Sequence, residues 1–182
     1  MRTPILQRNV LPMKIRTLDT LEEVRGLAAL VGEYIRFVCS DLEAAEGVSF
    51  DAERLIEGTM GSLHKVVPPS GRTFVAEGGN EAPLGMVFLR KSGGGSMEIK
   101  RLYVRPDARG TGAGRALVEA AIAEARGAGA PALRLDTTRN LTAAIGLYQD
   151  MGFAFRDPYP ESDHFEDVAL ANVLVFMEKR LD

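Results

Sequence analysis

Apolar residues recur every three or four positions in two long segments of the chain. The first segment predicts an amphipathic helix over residues 21–39, and Thr20 and Glu23 have the spacing of a capping box at its start. The second predicts a helix that begins after Gly114 and ends near Gly127, where another glycine and a proline soon follow. The apolar positions are Val24, Leu27, Ala28, Val31, Ile35 and Val38 in the first helix, and Val118, Ala121, Ile122 and Ala125 in the second.

Shorter patterns fill the chain between these helices. A weaker helical pattern over residues 51–59 has Asp51 as its cap and is expected to direct Leu55 and Ile56 inward. Apolar or alternating runs bounded by glycine, proline and asparagine predict strands. The order β-α-α-β-β-β-α-β-α-β-β predicts one mixed α/β sheet with helices on both faces. The predicted strands cover residues 13–18, 73–76, 84–89, 97–104, 132–137, 153–155 and 172–180.

The composition is that of a soluble globular protein with one domain. The chain has 182 residues, of which 46% are apolar and 26% are charged, and this length is enough for a sizeable core. Residues 13–182 are therefore assigned to one domain, preceded by an extension over residues 1–12 that can be disordered. Whether translation starts at Met1 or Met13 stays open. A net charge of −3 gives no basis for general nucleic-acid affinity.

Cys39 is the only cysteine, which excludes an intramolecular disulfide and a cysteine-based metal cluster. It fits a reducing compartment, and no segment has the character of a transmembrane helix or a signal peptide. We therefore predict a cytoplasmic protein without membrane association. His64 and His164 lie in separate loops, and no cluster of acids and histidines suggests a metal, so no metal is expected.

The most informative segment is the glycine-rich stretch 105–115, which joins the predicted strand 97–104 to a helix. Unpaired N–H groups at a helix N-terminus favour bound anions, and glycines let a phosphate approach the backbone closely. The stretch therefore predicts a ligand that contains phosphate groups. Basic residues crowd around it, namely Lys100, Arg101, Arg105, Arg109 and Arg115.

Three types of phosphate-binding loop differ in the spacing of their glycines. The chain has no G-x-x-x-x-G-K-[ST] run, and its G-x-G-x-G spacing departs from the dinucleotide fingerprint G-x-G-x-x-G. Arg109, Gly112 and Gly114 match a third pattern, Arg/Gln-x-x-Gly-x-Gly/Ala. The stretch thus resembles the pyrophosphate loop of the GCN5-related N-acetyltransferase (GNAT) family, which binds acetyl-coenzyme A. An ordinary glycine-rich turn between strand and helix is the alternative.

A second segment resembles the same family. Residues 141–153 are similar to its helix signature A-x-x-L-Y-x-x-x-G-F, and the separation from the glycine-rich stretch fits one helix and one strand. The resemblance extends over about residues 13–182, with the specific motifs in residues 97–153. The matching residues of the second signature are Ala144, Leu147, Tyr148, Gly152 and Phe153.

The resemblance implies a mixed, mostly antiparallel central sheet whose central strands, 97–104 and 132–137, are splayed apart. Their gap would take the pantetheine arm of acetyl-CoA, and the glycine-rich stretch would hold the pyrophosphate. A strand N–H near Tyr103 or Val104 would polarise the thioester carbonyl. Asn140 departs by one position from the commoner family spacing. The implied coenzyme-binding residues are Leu102, Tyr103, Val104, Arg109, Gly110, Thr111, Gly112, Ala113, Gly114, Arg115, Asn140, Ala144 and Tyr148.

The resemblance also implies direct attack of a primary amine on the thioester in a ternary complex. Tyr148 would then be the acid that protonates the departing thiolate, and core packing is its alternative role. Glu98 would be the base. Strand alternation is expected to place it on one face with Lys100 and Leu102, so a structural pair with Lys100 is an equal alternative.

The acceptor pocket is expected between the first two helices and the late strand hairpin, with Tyr34, Phe37, Glu98 and Tyr159 as substrate-binding residues. We therefore expect an acetyl-CoA-dependent N-acetyltransferase of a small-molecule amine. An inactive acyl-CoA sensor or interaction module of the same fold is the alternative, and a nucleotide-binding domain is a more distant one. The acceptor, the range of acyl groups and the oligomeric state, a homodimer included, stay open. Carboxylates suited to attract a cationic amine are Glu161, Asp163, Glu166 and Asp167.

Overall fold

A seven-stranded sheet organises the chain, whose computed structural model describes residues 13–79, 81–164, 170 and 172–181. The predicted extension over residues 1–12, and the acidic residues Glu166 and Asp167, lie outside the described residues. The strands are β1 (Lys14–Leu18), β2 (Gly71–Glu77), β3 (Pro83–Lys91), β4 (Met97–Val104), β5 (Ala132–Thr138), β6 (Ala154–Arg156) and β7 (Leu174–Arg180). The helices are α1 (Leu21–Arg25), α2 (Ala28–Glu46), α3 (Ala52–Gly61), α4 (Ala113–Gly127) and α5 (Thr142–Asp150).

Neighbouring strands follow the order β1-β2-β3-β4-β5-β7-β6, and every pair except β4–β5 is antiparallel. The parallel pair β4–β5 is short, because its register ends where Ile99 lies opposite Leu135. Residues 100–104 of β4 and 136–138 of β5 continue without pairing to each other. The predicted mixed, mostly antiparallel sheet with splayed central strands is thereby confirmed, and we call the point of divergence the fork.

Helices cover both faces of the sheet, as the sequence predicts. On one face, α4 buries the four apolar positions predicted for it against strands β2 to β5. On the other face, α1 and α2 pack on residues of β2, β3 and β4. None of the described helices is long and apolar enough to cross a membrane.

The helix predicted over residues 21–39 is in fact two helices. Helix α1 ends at Arg25, and α2 begins at Ala28 and continues to Glu46, beyond the predicted end. Gly26 lies at the break, where the low helix propensity of glycine favours a turn. The capping box at the start of α1 is confirmed, since the Glu23 N–H donates to Thr20 Oγ1 at 3.2 Å and the Thr20 N–H donates to Glu23 Oε2 at 3.1 Å.

Helix α3 begins as predicted, with the Asp51 carboxylate accepting from the Arg54 N–H at 3.1 Å. The expectation that Leu55 points inward is wrong, because Leu55 is 40% exposed. Ile56 and Thr59, three residues apart, form the inner face of this short helix instead. One narrow stripe suffices for its packing, and Leu55 lies just outside it.

Candidate active site

The splay of β4 and β5 opens a cleft with a volume of about 530 Å³, within the range of small-ligand pockets. The glycine loop, residues 109–115, forms one wall of the cleft, and α2 and the start of α5 form others. All the residues predicted to bind the coenzyme line the cleft except Thr111 and Tyr148. The cleft also contains Tyr34, Phe37 and Asp41 from α2.

Backbone geometry explains why the loop needs its glycines. Gly110 and Gly112 have φ values of 77° and 90°, a region that residues with a Cβ rarely adopt. Helix α4 then begins at Ala113 without a side-chain cap, and its first helical bond is from the Ala116 N–H to the Gly112 carbonyl at 3.0 Å. The N–H groups of residues 113–115 therefore precede any helical partner and are available to an anion.

Two other loop residues fix its shape. A Cβ on Gly114 would lie 3.3 Å from Leu147 Cδ2 and 3.7 Å from Val104 Cγ2, so glycine permits close packing of α4 against α5 and β4. The Thr111 hydroxyl donates to the Ala108 carbonyl at 2.7 Å, which holds the loop from within. Thr111 therefore uses its hydroxyl within the loop, and it does not line the cleft.

Strand β4 contains a bulge in the segment that borders the cleft. Its register with β3 shifts between Met86 and Phe88, and Arg101 has a φ of 55°. Because a bulge inserts an extra residue, the alternation of faces changes at that point. Leu102 packs in the same apolar cluster as Ile99. The expectation that Leu102 shares a face with Glu98 is therefore wrong, although Glu98 and Lys100 do share one and form an ion pair at 3.1 Å.

Glu98 is 0% exposed, and donors occupy both of its carboxylate oxygens. Arg90 Nε donates to Oε2 at 2.7 Å, and the Tyr159 hydroxyl donates to Oε1 at 2.7 Å. Lys100 also pairs with Asp136 at 2.7 Å, across the fork. Asp163 accepts from Arg90 Nη1 at 3.0 Å. We call this set the polar cluster: Arg90, Glu98, Lys100, Asp136, Tyr159 and Asp163.

Charge pairing within the polar cluster outweighs the effect of burial on its aspartates. Burial alone raises the pKa of Asp136, but Lys100 and the hydrogen bond from Ser162 help to hold that pKa below its usual value. The pKa of Asp163 is likewise lowered, because Lys100 and Arg90 outweigh burial. Both carboxylates are therefore stabilised in their charged form.

Tyr148 is buried beside the cleft and packs edge-on against Phe153, with 5.6 Å between ring centroids. Burial, and then the proximity of Tyr34 and Asp136, raise the pKa of the Tyr148 phenol far above its usual value. The hydroxyl therefore keeps its proton at neutral pH. Tyr34 lines the cleft, whereas Tyr148 itself does not. The role of Tyr148 as an acid stays a prediction.

The four residues predicted to bind the acceptor fall into two groups. Tyr34 and Phe37 line the cleft, and their ring centroids lie 5.8 and 6.2 Å from that of Tyr103. Tyr159 is 1% exposed and contacts Glu98 within the polar cluster. Neither Tyr159 nor Glu98 lines the cleft. The role of Glu98 as the base also stays a prediction.

Sequence reasoning missed two features of the cleft. Asp41 lies four positions after Phe37 on the same face of α2, a spacing that was open to inspection. Its carboxylate accepts a hydrogen bond from Asn140 Nδ2. Among the described residues, the buried Asn140 Oδ1 has no hydrogen-bond partner, and Asn140 is one of the residues that line the cleft. Arg109 Nε also donates to the Val104 carbonyl at 3.2 Å, and its guanidinium lies 5.0 Å from the centroid of the Phe37 ring.

The cleft therefore fits a ligand with phosphates at one end and an amide-containing arm. Unpaired N–H groups and two arginines lie at the glycine loop, and Asn140, whose Oδ1 has no partner among the described residues, also lines the cleft. The gap between β4 and β5 leaves strand-edge groups unpaired beyond the fork. Coenzyme A has a pyrophosphate and a pantetheine arm with amide groups, so the residues present fit it.

Known proteins are similar to this chain. Residues 36–153 match the family model described as the acetyltransferase (GNAT) family. An uncharacterized N-acetyltransferase of Schizosaccharomyces pombe is 39% identical over 98 residues, which are 53% of this chain and 60% of that protein. The IAA acetyltransferase of Azospirillum brasilense is also 39% identical over 98 residues, 53% of this chain and 63% of that protein. The chain thus spans less than two thirds of the length of either relative.

A solved structure shares the fold over almost the whole chain. The structure of yncA from Salmonella typhimurium, with its cofactor acetyl-CoA, has a TM-score of 0.61 and 22% identity. The alignment covers 94% of this chain and 95% of that chain.

Proposed function

Because the chain belongs to the acetyltransferase (GNAT) family, we propose that it transfers the acetyl group of acetyl-CoA to a primary amine of a small molecule. The observation that supports this most directly is the row of N–H groups at the start of α4, placed at the mouth of the fork. A preorganised anion site beside a gap in a sheet suits a diphosphate with a long amide arm.

The glycine loop is proposed to hold the pyrophosphate through main-chain N–H groups, with Arg115 adding a charge-assisted bond. The edge of β4 at Leu102 and Val104 is proposed to pair with the amide groups of the arm. Asn140 Oδ1 offers a further acceptor. Binding of acetyl-CoA by the structural relative from Salmonella typhimurium supports this assignment.

The proposed reaction is a direct attack in a ternary complex. The amine nitrogen forms a bond to the acetyl carbon while the carbon–sulfur bond breaks, which gives an N-acetylamine and coenzyme A. The ammonium form first loses one proton to a base. A second proton leaves the nitrogen after attack and, through solvent, replaces the proton that Tyr148 gives to the thiolate, so that coenzyme A leaves as the thiol and Tyr148 is neutral again. An N–H of β4 near Tyr103 is proposed to stabilise the oxyanion.

Glu98 is proposed to accept the amine proton indirectly, through a bridging water. Its oxygens already accept from Arg90, Lys100 and Tyr159, and it lies outside the cleft lining. Direct contact with an amine would require one of these donors to move. The dense pairing therefore supports a second role, that of holding the polar cluster in place.

One experiment tests both binding and chemistry. Calorimetry with coenzyme A measures binding, and thiol release from acetyl-CoA with a panel of primary amines measures transfer. For Tyr148→Phe we expect kcat to fall at least about 100-fold, since an acid contributes about 10²- to 10⁴-fold, with unchanged coenzyme affinity. Ser49→Ala removes a hydroxyl that lies outside the cleft and contacts Glu43, and it is the control. Folded protein that gives no heat with coenzyme A would overturn the proposal.

A catalytically inactive acyl-CoA sensor of the same fold is the second candidate. The burial of Tyr148 and the full pairing of Glu98 favour it. Under this hypothesis coenzyme A binds, but no amine accelerates thiol release. Equal background rates for the wild type and Tyr148→Phe would then support the sensor.

We also propose one domain over residues 13–182 in a cytoplasmic protein. A single continuous sheet from β1 to β7 supports the first statement. The lone cysteine, Cys39, is buried, which agrees with a reducing compartment.

A further inference from the structure

The bulge in β4 gives one cation an unusual position. Arg101 adopts a φ of 55° within a strand, a conformation that costs a residue with a Cβ roughly 1 to 2 kcal/mol. Such strain persists where the surrounding structure enforces it, often at functional sites. Here it places Arg101 immediately before Leu102, which lines the cleft.

The Arg101 guanidinium lies between the cleft and a small neighbouring cavity. Its centre is 5.9 Å from the ring centroid of Tyr34, a residue of the cleft. Its Nη2 donates to the Thr59 hydroxyl at 3.3 Å. The cavity has a volume of about 40 Å³, and Arg101, Thr59, Lys65 and Asp163 are among its lining residues. This is about the space of one or two water molecules.

Arg101 has fewer polar partners than Arg90 and Lys100, the two cations of the polar cluster. Arg90 pairs with Glu98 and Asp163, and Lys100 pairs with Glu98 and Asp136. Within the described ranges, no carboxylate forms a salt bridge with Arg101, and its buried Nε has no hydrogen-bond partner. A buried donor of a charged group without a partner is costly, so a ligand that supplied an acceptor would be bound favourably.

We propose that the acceptor amine also contains a carboxylate, and that Arg101 binds this carboxylate with help from the Thr59 hydroxyl. This inference rests on the proposed acetyl transfer. A guanidinium matches a planar carboxylate with two parallel hydrogen bonds, and the small cavity suits such a group. The aspartate in the cavity wall, Asp163, is already neutralised by Arg90 and Lys100.

The spacing along β4 limits the size of such an acceptor. Arg101 precedes Tyr103 by two residues, about 7 Å of strand, and the N–H near Tyr103 is proposed to face the thioester. Both groups of the acceptor are therefore expected to bind along the same short segment of β4. Small amino acids meet this requirement, whereas amines without an acidic group, such as polyamines, do not.

The test uses matched pairs of acceptors with the full-length protein and acetyl-CoA. Each pair contains an amino acid and its carboxamide, for example methionine, phenylalanine, leucine and β-alanine with their amides. We expect kcat/KM to be about tenfold to a hundredfold higher for the best carboxylate than for its amide, because a hydrogen-bonded charged group is removed. Turnover that is equal for both members of every pair overturns the inference and leaves acetyl transfer intact.

Arg101→Gln tests the assignment to this residue. We expect the ratio of kcat/KM between carboxylate and carboxamide to approach one, mainly through KM, while calorimetry shows unchanged coenzyme A affinity. Arg101→Lys should restore part of the ratio. Lys65→Gln removes a cation of the cavity wall that does not belong to the polar cluster, and it is the control. A ratio that changes with Lys65→Gln but not with Arg101→Gln overturns the assignment.

Absence of turnover with every acceptor pair also has a definite meaning. Coenzyme A binding without turnover of any pair contradicts the inference and favours the sensor. Absence of coenzyme A binding by folded protein contradicts the proposed function itself. The two failures are therefore distinguishable.

Discussion

The glycine loop follows β4 and the polar cluster contains two residues of β4, but the two regions are built in opposite ways. The loop leaves its polar groups free, since N–H groups at the start of α4 precede any helical partner. In the polar cluster the charged groups of Arg90, Glu98 and Lys100 are occupied by one another. One region thus offers backbone to a ligand, whereas the other uses side chains to hold a shape.

This difference predicts whether a substitution in each region changes ligand affinity or stability. Changes in the loop are expected to alter ligand affinity, because its free N–H groups are available to the ligand. Changes in the polar cluster are expected to alter stability first, because removing one member leaves buried charges without partners.

Loss of Glu98 is expected to have the largest effect. Glu98→Ala should lower the free energy of unfolding by about 3 to 5 kcal/mol, because it leaves Arg90 and Lys100 buried with fewer partners. Urea unfolding measures this. Glu161→Ala is the control, since its contact with Arg134 is 3.8 Å long and its side chain is 42% exposed, so a loss below about 1 kcal/mol is expected. Similar small losses for both variants would contradict the contrast between the two regions.

A change in the loop should act on binding as well as on stability. Gly112→Ala forces a residue with a Cβ to a φ of 90°, which costs about 1 to 2 kcal/mol, and coenzyme A affinity should fall about tenfold. Unfolding and calorimetry measure the two effects.

The same substitution in α3 is its control. Gly58 is exposed in the helix interior, and a Cβ there meets nothing within 4 Å. Gly58→Ala should therefore stabilise the protein by about 0.5 to 1 kcal/mol. Destabilisation by both substitutions would show that the strain at Gly112 is not the cause.

Mild acid is expected to lower the free energy of unfolding through His164, which follows Asp163 of the polar cluster, by less than the loss of Glu98 does. Burial, with Lys100 and Arg101, lowers the pKa of His164 in the folded state, although Asp136 and Asp163 oppose this. The unfolded chain therefore binds more protons below about pH 6.5, so stability should fall there by at most about 1.4 kcal/mol per pH unit. Unfolding curves of the wild type and His164→Gln between pH 5 and 7 test this.

The variant should show a flatter profile than the wild type in that window. Below about pH 4, both should lose stability, because the lowered pKa values of Asp136 and Asp163 mean that protonation disfavours the folded state. No histidine lies in the glycine loop. Parallel profiles between pH 5 and 7 would exclude His164 as the source of the slope.

The smallest change in stability is expected for Arg115→Gln. Its ion pair with Asp150 is 3.7 Å long, and both side chains are about half exposed or more, so unfolding should change by less than about 0.5 kcal/mol. Coenzyme A affinity should fall about threefold to tenfold, with a weaker dependence on salt. Arg126→Gln, at the other end of α4, should leave this affinity unchanged. An equal loss of coenzyme A affinity for both variants would indicate that the positive charge of α4 as a whole attracts the coenzyme, and not a direct contact with Arg115.

The coenzyme side of the cleft was predictable because its signal is local. A strand, three glycines and a helix are consecutive, and the geometry they adopt depends on backbone conformation near Gly110 and Gly112. The fold followed from the same elements once their order was known. The break at Gly26 was missed because apolar spacing continues across it, although glycine itself is a weak indication of a break.

The polar cluster was not predictable because its contacts join distant parts of the chain. Tyr159 reaches Glu98 across 61 positions, and Lys100 reaches Asp136 across 36. The bulge at Arg101 depends on the register between β3 and β4, which simple alternation cannot supply. The displacement of Leu102 from the face of Glu98 follows from that register and not from the composition of β4.

The fork also divides the sheet into two groups of strands, β1 to β4 and β5 to β7, that three backbone residue pairs connect. Because few residue pairs connect the two groups of strands, the smaller group, β5 to β7, is expected to unfold separately from the larger one. Amide hydrogens of β5 and β7 should therefore exchange with solvent through partial unfolding while those of β2 and β3 stay protected. A coenzyme spanning both groups would join them into one cooperative unit and slow exchange on each side.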